Sequence, residues 1–166
     1  MRINKEEEMN DGLLWFETAK KHLQAAEENL RIGQYLVAFQ FALISAEVAL
    51  KSVLISKGLF IERRWPFGDK HHMIPELFNK IKSENCLPNE IIQQVANIVG
   101  DDNKGGLGYI RIAEDSGYFM ECTSGQHVLL RYIYKEASPY DKVKSHDAEE
   151  KVEEARQLIK IISPFF

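Results

Sequence analysis

The sequence predicts an all-α protein: an antiparallel up-and-down bundle of four or five helices, with a small β-hairpin insert around residues 107–123. Three observations predict it. Apolar residues recur at alternating three- and four-residue steps over several stretches, the spacing that lays one stripe along a helix. One stretch is apolar nearly all round and is bracketed by Gly33 and Gly58, as befits a helix packed on several sides. The segment 100–126 holds six of the ten glycines, a composition that resists a continuous helix.

The first helix is expected to start near Asn10 or Asp11, whose side chains can accept a backbone N–H bond at a helix start. Phe16, Ala19, Leu23, Ala26 and Leu30 form its buried stripe, with Lys20, Lys21, Glu27 and Glu28 on the other side. Gly33 ends it, since glycine enters the left-handed conformation freely. The second helix runs from Tyr35 to Lys57 and stops at Gly58. The short Gly33–Gln34 link makes these neighbours antiparallel.

A loop with Pro66 and Gly68 follows, over 59–70. A short third helix is expected from Pro75 to Ser83, burying Leu77, Phe78 and Ile81. Pro88 suits the first turn of a fourth, because proline there loses no needed N–H bond. Tyr109–Ile112 and Tyr118–Met120 flank Asp115-Ser116-Gly117, two β-favouring runs around a turn. A helical segment resumes at His127 and passes through Leu129, Leu130, Tyr132 and Ile133, until Pro139. The last helix begins at Ser145 to Asp147, carries Ala148, Val152, Ala155, Ile159 and Ile162, and ends at Pro164. Asp147 and Glu150 have the spacing of a capping box.

The totals set the class. A chain of 166 residues suits one domain, 1–166, with a core large enough to need neither disulfides nor metal. Its net charge of −4 argues against a generally basic nucleic-acid coat. Cys86 and Cys122 fit no zinc spacing and read as reduced thiols. The charged N-terminus has no apolar signal core, and no apolar run reads as long enough to cross a bilayer. The expected location is the cytoplasm, with no membrane partner and no cofactor.

Several residue groups invite chemistry. Glu47 and Lys51 sit four apart in the order that favours a helix ion pair, and they interrupt a very apolar helix. They read either as a polar spot lining a nucleotide or RNA pocket or as a structural pair. Arg63, Arg64, Lys70, His71 and His72 gather cations in one loop, where they would bind phosphate, with Trp65 and Phe67 available to stack on a base. The plainer reading is a solvated loop with His72 packing below it. A metal site lacks a third ligand at helix spacing. Arg131 would meet a phosphate or an acid of the last helix. His127 and Arg131 would share a helical face, a histidine–arginine pair in reversed order for RNA cleavage. Gly105-Gly106-Leu107-Gly108 lacks the Lys-Ser/Thr of a phosphate loop, and no serine or cysteine lies in a nucleophile motif.

Three stretches in order resemble the HEPN family. Tyr35-x-x-Ala38-Phe39 leads to Ala46-Glu47-Val48-Ala49-Leu50-Lys51, similar to the family's Ala-Glu-x-Ala-Leu-Lys core. His72-Met73-Ile74-Pro75-Glu76-Leu77 is similar to its His-x-Leu-x-x-Leu. Arg131-Tyr132, followed by Asp147-Ala148-Glu149-Glu150 and Ala155, is similar to its final helix and approach.

The resemblance implies a helical bundle, often a homodimer, with nucleotide or RNA chemistry. It also implies, for several members, a nucleotidyltransferase partner in a toxin–antitoxin-like module. Family ribonucleases place a histidine four to six residues after an arginine. Here no histidine follows Arg131 until His146, and the Arg64–His71 spacing falls in the wrong element. Leu43 and Ile44 stand where the family often has glutamines. The expected function is therefore a nucleotide- or RNA-binding module without the usual ribonuclease motif, using Arg63, Arg64, Lys70, His72 and Arg131 for phosphates. The alternatives are a metal-independent ribonuclease with an unusual His/Arg site and a purely structural interaction module.

Overall fold

The computed structural model describes residues 5–59, 73–115, 117–124 and 136–166. In chain order these form α1 (Lys5–Arg31), α2 (Tyr35–Ser56), α3 (Ile74–Ser83), α4 (Asn89–Val99), β1 (Tyr109–Glu114), β2 (Gly117–Thr123), α5 (Pro139–Lys142) and α6 (Ser145–Ile162), then a 3-10 turn, Ser163–Phe165. Residues 60–70 of the expected loop 59–70, and the helical segment expected from His127 through Ile133, lie outside the described residues.

Helix α2 is the axis of the bundle, with α1, α3 and α6 packed around it. Phe39, Leu43, Leu50 and Leu54 are fully buried. Ala38, Ala42, Ala46 and Ala49 are buried too, and their small side chains let neighbours come close. The helix is long and apolar enough to cross a bilayer by length and composition, which corrects the sequence reading; 78% of that window is buried inside the protein. The stripe predicted for α1 is borne out, with Phe16, Ala19, Leu23 and Ala26 buried. That of α6 is borne out as well, with Ala148, Val152, Ala155, Ile159 and Ile162 inside.

Both glycine stops act as expected. Gly33 has φ +78, its N–H donates to the Leu30 carbonyl (3.1 Å), and the Gln34 N–H reaches the Asn29 carbonyl (2.9 Å). Gly58 (φ +68) and Leu59 repeat the pattern on Ile55 and Leu54 at 2.9 and 3.0 Å. Such pairs of bonds satisfy the last carbonyls of a helix.

The start of α1 differs from the expectation. The helix begins at Lys5 and runs through Asn10 and Asp11, because the glutamates before them are good helix formers that favour a helix N-terminal end. Gly12 does not break it. A Cβ there would stand 2.7 Å from Ser56 Cβ, so the missing side chain lets α1 press on the end of α2.

The hairpin forms where expected, antiparallel, with an irregularity between Ile112 and Ala113. A two-stranded sheet is marginal alone, and this one is tied to the helices. The Leu107 and Gly108 N–H groups donate to the Ile98 and Val99 carbonyls at 3.0 and 2.9 Å. The Ile74 N–H donates to Ser124 Oγ at 2.9 Å. Ile110, Ile112, Phe119 and Met120 are buried.

Candidate functional site

Ionisable groups interrupt the apolar faces of two helices. On α2, Glu47 and Lys51 occupy interior positions. Lys51 Nζ lies 2.5 Å from Glu47 Oε1, and the side chains are only 7% (Lys51) and 10% (Glu47) exposed. Buried charges survive only when paired, and the four-residue step on a helix supplies the pairing. Across the seam on α1 stands His22, its ring stacked on Phe41 with centroids 5.8 Å apart. Burial holds the His22 imidazole below its ordinary pKa, opposed by the negative charge of Glu47. Ser45 Oγ bridges the two helices by donating to the Ala19 carbonyl, 2.8 Å away.

The second interruption lies on α6. Lys151 sits three residues after Ala148 and four before Ala155, on the apolar stripe, and is buried. Its Nζ lies 3.2 Å from Glu154 Oε1 and 3.7 Å from Glu150 Oε1. Burial pushes the Glu154 carboxyl up to about 7, against the pull of Lys151. Asp147 is also buried. Burial raises its pKa, countered by the Lys144 N–H that donates to its carboxylate at 2.9 Å. Asp147 thus stands inside the first turn and reaches back to Lys144, which corrects the reading of Asp147 as the cap itself. Glu150 and Glu154 border an open cavity of about 270 Å³, with Asn97 of α4, Gln157, Lys104 and the Gly105–Gly106 backbone.

The hairpin base is held by Arg111, which pairs with Glu121 at 3.2 Å. It also donates to the Asn103 carbonyl at 3.0 Å and to the Asp102 carbonyl. The Asp101 carboxylate accepts the Asn103 and Lys104 N–H bonds, each 2.8 Å, and these hold its pKa down. A larger cavity, about 670 Å³, opens between the hairpin tip and α5 and is lined by Glu114, Asp115, Asp141, Lys142 and Lys144.

Among the described residues no group of three or more His, Cys, Asp or Glu could hold a metal ion. Both cysteines are free thiols. Burial pushes Cys122 up to about 11 and raises Cys86, which leaves little thiolate for nucleophilic work.

Of the residues singled out from sequence, Glu47 and Lys51 are brought together as a buried pair. Arg63, Arg64, Lys70, His72 and Arg131 lie outside the described residues, as do Trp65, Phe67, His71 and His127. His22, Lys151 and Glu154 were not foreseen. Lys151 had a signal, since its position continues the spacing of Ala148 and Ala155. His22 had none, because it stands at the edge of its stripe, beside Leu23.

A family model described as HEPN domain matches residues 13–164, nearly the whole chain. No curated protein and no solved structure matches it.

Proposed function

Because the chain belongs to the HEPN domain family, we propose that it is a nucleotide- or RNA-binding interaction module that lacks the family's usual ribonuclease pair. The observation that carries this reading is the Glu47–Lys51 pair. It is kept at nine-tenths burial in the middle of the most apolar helix, where an apolar pair of similar volume would be no less stable. Ionisable groups retained at such a cost mark candidate functional positions. The sequence supplies phosphate-binding cations at Arg63, Arg64, Lys70, His72 and Arg131, and it has no histidine at the ribonuclease spacing after Arg131.

The test is binding of fluorescent ATP and of a short single-stranded RNA, followed by anisotropy over a range of salt concentrations. Each phosphate contact removed by Arg63→Ala, Arg64→Ala, Lys70→Ala or Arg131→Ala should lower the slope of log K against log salt by about 0.7. Binding that ignores salt, or that is unchanged in the fourfold variant, refutes the reading. Cleavage of the RNA by pure protein, abolished in His72→Ala or His127→Ala, would establish the ribonuclease alternative instead. In the same reading the protein partner is a nucleotidyltransferase, in a toxin–antitoxin-like arrangement. Co-expression with one encoded beside this chain, followed by co-purification, tests that partner.

A further inference from the structure

We infer that the groove between α4 and α6 is a docking site for a helix of a partner protein, one that carries basic side chains near its start and an apolar anchor two turns further on. Helices α4 and α6 pack on each other and run in opposite directions. Ile91 stands level with Ile161 and Pro164, and Asn97 with Glu150 and Glu154. Two cavities open along this seam, and Gln157 lines both. One, of about 490 Å³, is bordered by Ile91, Ile161 and Pro164, with Gln94 and Lys160 beside them. The other is the cavity of about 270 Å³ at Glu150 and Glu154.

Together the two form one trough. Its α6 wall is Glu150, Glu154, Gln157 and Ile161, at steps of four, three and four residues, which is a single helical face. Its α4 wall is Ile91, Gln94 and Asn97, at steps of three. From Glu150 to Ile161 the trough runs about 16 Å, roughly three helical turns. A groove between two helices accepts a third, which reads it with side chains at i, i+3 or i+4, and i+7.

The order of the lining identifies the occupant. At one end Ile91 and Ile161 are half-buried and rest on the core, which makes an apolar seat. Seven residues back along α6, about 10 Å, stands Glu154, and Glu150 lies one turn beyond it. Lys151 is 3.2 Å from Glu154 and 3.7 Å from Glu150, so one buried ammonium serves two carboxylates. Glu150 is 60% exposed and faces an arriving cation directly. Lys104, exposed at the rim, competes for the same acids. A docked helix is positive at its start and negative at its end. It therefore settles with its start at Glu150 and Glu154 and its end at Lys160, parallel to α6. Nucleic acid does not suit this trough, since its phosphates would meet the two carboxylates. The groove shares no residue with the proposed nucleotide or RNA site, so the two readings stand or fall separately.

Fluorescence anisotropy of a labelled, alanine-based helical peptide with the full chain tests it. The probe is about 18 residues long, enough to hold a helix, with two arginines in its second turn and a leucine and a phenylalanine two turns later. It should bind saturably, and more weakly as salt rises. Exposed ion pairs contribute up to about fivefold each, so replacing both arginines by glutamate should weaken binding at least about tenfold. A peptide with the basic and apolar pairs exchanged should bind about two- to fivefold more weakly, the reach of a helix dipole. Glu150→Lys should weaken the arginine peptide and strengthen the glutamate one. Ile161→Ser should cost at least about tenfold while circular dichroism shows the helices intact, and Lys104→Ala should tighten binding. A short single-stranded RNA should not displace the peptide. No saturable binding up to about 1 mM, affinity indifferent to Glu150→Lys and Ile161→Ser, an exchanged peptide that binds as well, or displacement by RNA would each overturn the proposal. So would sedimentation of the chain alone showing self-association that Ile161→Ser abolishes, which would give the trough to a second copy.

Discussion

Breaking the Glu47–Lys51 pair from one side should be far more damaging than removing it altogether. The ammonium and carboxylate are 2.5 Å apart, with about nine-tenths of each side chain out of water. Lys51→Met leaves the Glu47 carboxylate buried without its lysine, and Glu47→Leu leaves the Lys51 ammonium in the same state. Each should cost about 3–5 kcal/mol, the usual result of removing one partner of a buried pair. For a chain of this length that is a melting temperature lower by roughly 6–20 °C. The double variant, Glu47→Leu with Lys51→Met, removes both charges and keeps the volume, so it should unfold within about 1 kcal/mol of wild type or be more stable. Urea denaturation of all four proteins closes the cycle, with a common m-value as the check that the folded and unfolded states are comparable. Single variants that cost less than about 1 kcal/mol would refute the burial, and a double variant costing the sum of the singles would refute the coupling. The double variant also separates the two roles of the pair. If it folds and no longer binds nucleotide or RNA, the pair is kept for the ligand; if it binds unchanged, the pair is structural.

Two more outcomes follow from the packing. Glu154 is held at about 7 against an ordinary 4.5, so the folded chain keeps a proton that the unfolded chain has lost between those values. Stability should fall as pH rises from about 4.5 through 7, by up to about 3 kcal/mol; thermal melts across that window should show the slope, and Glu154→Gln should flatten it. At Gly12 even a Cβ would lie 2.7 Å from Ser56 Cβ and 3.0 Å from the Ser56 backbone. Gly12→Val should therefore cost about 1–3 kcal/mol by prising α1 from α2, and Ser56→Gly in the same chain should restore part of it in thermal melts.

Much of the fold was legible because single residues carried unambiguous backbone consequences. Gly33 and Gly58 ended their helices for the reason that made them visible, a positive φ that glycine adopts without strain. Pro88 stood just before α4, and Asp115 with Gly117 sat at the turn between the two β-favouring runs. The errors came where one residue type serves two ends. Asn10 and Asp11 are good caps, yet they also sit inside a helix when glutamates continue it. Asp147 has the composition of a cap but acts from the first turn. Gly12 showed in the sequence as a glycine within a helix, but its reason is a neighbour 44 residues away at Ser56, which no local pattern encodes.

The site divides along the same line. Charge inside an apolar stripe is a local signal, and it exposed Glu47 and Lys51 before any coordinates. Lys151 carries the same signal at the Ala148–Ala155 spacing, but the run Glu149, Glu150, Glu153, Glu154 around it gives α6 the look of a solvated surface and hides it. The two pairs are built in opposite order, Glu before Lys on α2 and Lys before Glu on α6, and only the first has the orientation that the helix dipole favours. The α6 pair therefore needs more support from its surroundings. It finds that support in the second carboxylate, Glu150, 3.7 Å from Lys151, while burial holds the Glu154 carboxyl at about 7, close to half-protonated at neutral pH. A bundle selected for stability alone would have closed both stripes with leucine. That neither is closed places the cost of burying charge on two separate helices, beside His22 of α1 for the α2 pair and beside Asn97 of α4 for the α6 pair.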